Sequence, residues 1–295
     1  MMKINCWTVV FLAIAALSPG CRKDAAPSSA APAESETNPA AESTFASLQS
    51  RGAVFVFEKD GKLKSADFTE VSLPAAFSPD EISLWKSLRV LRGKGVFTDT
   101  LARQTASCSA LTECLWLNTE ISPGGLKALS GAGKLKKLRL AGLAVEPDDL
   151  RPLLAIPTLT ELDLSGASLS DEAMGVVAGL PALTRLNLYQ NRIGNEGVKN
   201  LLPLADRLVW LNLDDTLITD EVGPTLSQFD KLKFLHLGRT KVTDEIVASL
   251  ARLKSLGTVH VTRTGITEEG AARLREALPD TEVISVVKET KKETP

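Results

Sequence analysis

His236 and His260 are the only two histidines in a chain of 295 residues, and they stand 24 positions apart with Asp214 shortly before them. Two imidazoles beside a carboxylate suit proton transfer or metal ligation near neutral pH. A catalytic zinc needs three protein ligands held by outer partners, and a flat sheet offers no pocket to exclude water. There is no nucleophile elbow, phosphate-binding loop or dinucleotide fingerprint. No CxxC or CxxCH is present, so neither a zinc site nor attached haem is indicated, and no cofactor is expected. Cys108 and Cys114 have two readings, buried apolar fillers or a disulfide. The acidic runs Ser170-Asp171-Glu172, Thr219-Asp220-Glu221, Thr243-Asp244-Glu245 and Thr267-Glu268-Glu269 could be mistaken for catalytic carboxylates. A hydroxyl residue followed by acids instead fits the start of a helix, where it caps free amides and meets the positive end of the dipole.

The spacing of the histidines is the spacing of a repeat. Copies begin at Leu111, Leu135, Leu159, Leu183, Leu208, Leu232 and Leu256, 24 or 25 residues apart. A degenerate copy starts at Leu88 and an earlier one at Leu63. Each reads LxxLxLxx(T/N)xI(T/S)DEGxxxLxxLxx, so LxL alternates with period two, as in a strand with one buried face. A Thr or Asn at the ninth position can bond the turn leaving the strand. Pro123 and Pro147 suit a first helical position. Short helices then bury Leu226, Ile246 and Leu250. No single copy can cover its own apolar face, so the copies must stack.

The blocks Leu135-Leu138-Leu140, Leu159-Leu162-Leu164, Leu183-Leu186-Leu188, Leu208-Leu211-Leu213 and Leu232-Leu235-Leu237 resemble the leucine-rich repeat family. The ITDEG flavour is similar to secreted bacterial members and the ribonuclease-inhibitor-like branch. The resemblance implies an α/β solenoid, a right-handed βα superhelix with a curved parallel sheet on its concave side and short helices on its convex side. Residues 111–287 form the repeat domain in this reading. Residues 44–110 form an N-terminal cap with degenerate repeats, in which a helix from Thr44 to Ser50 leads to an Ala53–Phe57 strand and a turn. Residues 281–287 add a closing strand, and 288–295 a solvated tail.

In such a stack the residues flanking the inward leucines vary freely and carry recognition. The C-terminal copies place Arg185, Asn187, Tyr189, Gln190, Trp210, Asn212, Asp214, Asp215, Phe234, His236, Arg239, Thr258, His260, Thr262 and Arg263 on the concave face. Neighbouring strands lie about 4.8 Å apart, which sets Trp210 beside Phe234, His236 beside His260 and Arg239 beside Arg263. Trp, Tyr and Arg are the residues of binding hot spots. Val90, Leu115 and Leu117 are outward apolar residues at the other end, either covered by the N-terminal segment or forming a second patch.

Lysine plus arginine (34) nearly balances aspartate plus glutamate (36), a net charge of −2 that gives no drive toward nucleic acid. Lys3, an apolar run to Leu17 and Ser18-Pro19-Gly20-Cys21 resemble a bacterial lipoprotein signal at 1–21, although Ser18 stands where that signal has leucine. Cys21 is then the lipidated residue; without lipidation the chain is secreted. Residues 22–43 are Ala, Pro, Ser and Glu and read as a disordered tether. The expectation is a monomeric, exported, non-enzymatic module, anchored at the outer membrane or cell surface, that binds a protein or glycan. The rival readings are a passive structural envelope protein and a metal-dependent hydrolase using His236 and His260.

Overall fold

The computed structural model describes residues 39–71, 84–95, 97–119 and 121–285. The expected signal segment with Cys21, residues 22–38 of the expected tether, the last two residues of the expected closing strand and the expected C-terminal tail lie outside the described residues. The described residues form an eleven-stranded sheet in which the strands follow chain order. They are β1 (Val54–Phe57), β2 (Leu63–Phe68), β3 (Val90–Lys94), β4 (Glu113–Leu117), β5 (Lys137–Ala141), β6 (Glu161–Asp163), β7 (Arg185–Asn187), β8 (Trp210–Asn212), β9 (Phe234–His236), β10 (Thr258–His260) and β11 (Glu282–Ile284). Only β1 runs antiparallel to its neighbour; β2 to β11 are parallel. The expected architecture of strands and short helices is the one observed.

The register follows the repeat. Leu91, Cys114, Leu138, Leu162, Leu186, Leu211, Leu235, Val259 and Val283 pair in sequence across β3 to β11. All nine are buried. A parallel stack that repeats one apolar column maintains a single continuous core. Leu226, Ile246 and Leu250 close it from the helical side. Trp116 replaces leucine in the next inward column, and its indole N–H donates to the Gly95 carbonyl at 2.9 Å. A Cβ added to Gly93 would lie 2.3 Å from that indole, so the glycine makes room for the ring.

Two local expectations change. The first helix, α1 (Pro39–Ser50), begins five residues before Thr44. Pro39 is tolerated in a first turn, and the Ala-Ala-Glu that follows favours helix, so residues 39–43, expected in the tether, belong to the helix. The disulfide weighed for Cys108 and Cys114 does not form: both are free and buried. Cys114 sits in the leucine column, and burial pushes each thiol up to about 12, which keeps it protonated and inert.

The acids that open the helices do more than cap. Asp99 accepts bonds from the Ser122 amide and hydroxyl, Asp220 from those of Thr243, and Asp244 from those of Thr267. Asp171 accepts from the Gly194 amide. Each donor lies one repeat onward, so an aspartate ties its own coil to the next. Thr219 makes no side-chain bond to its own helix. It is held by Asn195, which accepts its amide and donates to its hydroxyl. The glycine of the repeat has its reason here. A Cβ on Gly197 would meet Asp171 Oδ1 at 2.4 Å, and one on Gly125 would meet Asp99 Oδ1 at 2.6 Å.

The ninth-position residues behave as expected. Thr216, Thr240 and Thr264 donate to the carbonyls of Leu213, Leu237 and Val261. Asn191 donates to the Leu164 and Leu188 carbonyls and accepts the Leu169 amide.

Candidate functional site

The open face of the sheet divides into two halves. Between β4 and β7 its charges are paired: Lys137 with Glu113 at 3.3 Å, Arg139 with Asp163 at 2.6 Å and Arg185 with Glu161 at 3.5 Å. Between β7 and β10 aromatic rings take over. The Arg185 guanidinium lies 5.1 Å from the centre of the Trp210 ring, as a cation over an aromatic face. Trp210 meets His236 at 5.4 Å, and His236 stacks on His260 at 4.1 Å with an interplanar angle of 8°. Four side chains from four consecutive repeats thus form one continuous stack.

The backbone sets Trp210 opposite Phe234, as expected, and Asn212 opposite His236. The Trp210 ring leans across the diagonal to His236, a reach available to large side chains on one sheet face. Phe234 is left 39% exposed. Its ring adds apolar surface to the open face beside the Trp210–His236 contact.

Several residues expected to bind have work inside the fold. Asn187 Oδ1 accepts the Tyr189 amide and Asn212 Oδ1 accepts the Asp214 amide, two residues on, as Asp67 and Asp163 do for Thr69 and Ser165. This side-chain turn ends each strand. Asp214 in turn accepts the Gly238 amide one repeat onward. His236 and His260 occupy the same position as those Asp and Asn residues and break the pattern, exchanging a turn-making side chain for a ring. Tyr189 is half-buried, with its backbone carbonyl bonded to Gly166.

His236 Nδ1 lies 3.6 Å from Asp214 Oδ2. Partial burial, and then the charge of His236, hold the His260 pKa below its ordinary value, against the opposing pull of Asp214 and Glu282. Parallel stacked rings do not converge their nitrogens on a common point. Among the described residues no group of three or more His, Cys, Asp or Glu is arranged to hold a metal ion.

A further regularity lies just past the strands. Gly95, Asn118, Gly142, Gly166, Gln190, Asp215, Arg239 and Arg263 hold the eighth position of successive repeats, and all have φ between +52° and +85°. The glycines at 95, 142 and 166 are the signal of this left-handed turn in the sequence. Two positions on, the exposed Arg192, Leu217 and Lys241 form a column, stacked by bonds from the Leu217 amide to the Ile193 carbonyl and from the Lys241 amide to the Ile218 carbonyl. Leu217 is 51% exposed. At the other end of the sheet, Val90, Leu115 and Leu117 are half-buried, while Val54 on β1 is 58% exposed.

Comparison with known proteins agrees with the geometry. The leucine-rich repeat family model matches residues 155–178 and 180–202. No curated protein sequence matches the chain. Among solved structures, internalin C2 of Listeria monocytogenes aligns with a TM-score of 0.53 and 22% identity, over 70% of this chain and 84% of that one. A second internalin of that organism, InlF, aligns with a TM-score of 0.51 and 15% identity, over 75% of this chain and 67% of that one. A leucine-rich repeat protein of Leptospira interrogans aligns at 0.47 with 21% identity, over 75% and 60% of the two chains. The architecture is the leucine-rich repeat fold.

Proposed function

We propose that this leucine-rich repeat domain is a non-enzymatic recognition module that binds a protein on the C-terminal half of its open, concave sheet face. The observation that carries the reading is the Arg185–Trp210–His236–His260 stack with Phe234 exposed beside it. Tryptophan and arginine, rigidly backed and ringed by polar groups, are what binding hot spots use. The preceding strands carry paired charges, which serve stability and offer a partner less. The module sits at the bacterial cell envelope in this reading, exported by the N-terminal segment and held by a lipid on Cys21.

A passive structural role gives no reason for an exposed Phe234 on this face. A hydrolase using His236 and His260 has less support, because the rings face each other rather than a shared substrate position.

The test is quantitative capture from envelope extracts with the purified domain. Trp210→Ala and Phe234→Ala should fold normally and lose a specific partner, each by about 2 kcal/mol or more. The helix-side variant Lys199→Ala should keep it. Capture that is indifferent to both sheet-face changes would move the site elsewhere, with the Val90–Leu117 end next to be tried.

A further inference from the structure

The structure assigns the rim of the turns past β7 to β10 to an acidic, leucine-accepting segment of the protein partner. This rests on the reading of the open face as the binding face.

The first observation is conformational. At the eighth position the fold accepts glycine, as at Gly142 and Gly166, yet Arg239 and Arg263 both hold φ near +57° there. A side chain in this region costs about 1–2 kcal/mol. Asparagine and aspartate relieve part of that cost through local bonds, but arginine has no such remedy. Retained strain without a reason in the fold points to a role outside it.

The second observation is electrostatic. Arg192, Arg239, Lys241 and Arg263 are all exposed along this rim. Among the described residues Arg192, Lys241 and Arg263 have no carboxylate within ion-pair distance, and Arg239 reaches Asp215 only at 3.9 Å. The nearby acids are committed: Asp214 to the Gly238 amide and His236, Asp215 to Gln190 and Arg239. The rim therefore holds surplus positive charge in a chain whose net charge is −2.

The third observation selects the class of partner. Leu217 stands 51% exposed in the column between Arg192 and Lys241. A sulfated glycan has no apolar side chain to cover it. A bilayer presents its anionic headgroups as a uniform layer with the apolar chains beneath them, so it sets no apolar group among the charges as Leu217 stands between Arg192 and Lys241. A peptide with acids flanking an apolar residue matches the alternation of the rim, and complementary charge would speed its encounter as well as select it.

The probe is a fluorescein-labelled twelve-residue peptide of Glu and Asp around a central Leu-Leu, compared with its Gln/Asn counterpart by anisotropy. The acidic peptide should bind about tenfold more tightly or better, and added salt should weaken it. The Arg239→Gly/Arg263→Gly double variant should lose that advantage while its thermal unfolding is unchanged or raised, because glycine is at ease at positive φ. Leu217→Ser should weaken both peptides. Equal binding of the two peptides, or binding of neither, overturns the assignment. So does a heparin oligosaccharide or a phosphatidylglycerol vesicle that binds through these residues when the acidic peptide does not. The capture assay separates the two levels of the argument. If Trp210→Ala loses the partner and Arg239→Glu/Arg263→Glu keeps it, the binding face stands and the acidic segment falls.

Discussion

The imidazole of His236 lies flat against that of His260, 4.1 Å between centroids and 8° from parallel, with Trp210 packed on the far side of His236. Two rings this close oppose double protonation. The groups facing them are Asp214, which touches His236, and Glu282, which favours a charged His260. Burial and the His236 charge prevail over those acids, so the native state binds a proton at His260 less readily than the unfolded chain does. The contribution of His260 to stability is therefore complete above the ordinary histidine value of 6.5 and is lost as pH falls through that value to the lowered native one. His236→Gln should raise the His260 pKa toward 6.5 in an NMR titration, since it removes one of the lowering causes. An unchanged titration would show that burial alone sets it.

The leucine column makes a strong stability prediction. Leu211 and Leu235 pair directly across β8 and β9 and are fully buried. Leu211→Ala or Leu235→Ala should cost roughly 2–5 kcal/mol in chemical denaturation, through lost burial and the cavity left behind. The two are in contact, so the double variant should depart from the sum of the singles.

Bonds between repeats can be tested separately from helix caps. Asp220→Ala removes two acceptors from Thr243 and should cost about 1.5–3 kcal/mol, the range for bonds to a charged group. Thr219→Ala should cost about 1 kcal/mol through its bond from Asn195. If Thr219 acts through Asn195, then Asn195→Ala combined with Thr219→Ala should cost less than the two singles together.

Gly93→Ala puts a methyl group where the Trp116 indole already lies. The neighbour is a fully buried ring rather than the free end of a flexible chain, so overpacking of about 1–3 kcal/mol is expected. Trp116→Leu, which restores the ordinary residue of that column, should relieve the clash in the double variant. A Gly93→Ala protein as stable as the parent would show that the ring can shift.

Anchoring can be settled by chemistry. Cells fed a labelled fatty acid should tag the full chain, and Cys21→Ser should abolish the label and release the domain. Label that persists in the Cys21→Ser chain would exclude this residue as the attachment point.

The repeat period, the strands and the inward leucines were all legible in the sequence. Burial on one face of a strand imposes period two, and stacking of identical coils imposes one residue type per column. Leu186, Leu211 and Leu235 therefore predicted their own pairing. The open face was legible as a set of residues, but their division of labour was not. Asn187 and Asn212 have the composition of a binding face and serve as strand-ending turns. Arg239 and Arg263 read as ordinary surface charges, and only backbone dihedrals reveal that they hold a glycine-like conformation. The lean of Trp210 toward His236 rather than Phe234, and the reach of Asp220 to Thr243, depend on side-chain torsions within a stack. Sequence patterning records which face a residue takes, because burial is a property of one position in a periodic coil. Which neighbour a side chain touches is a property of two coils at once, and it is decided only when they pack.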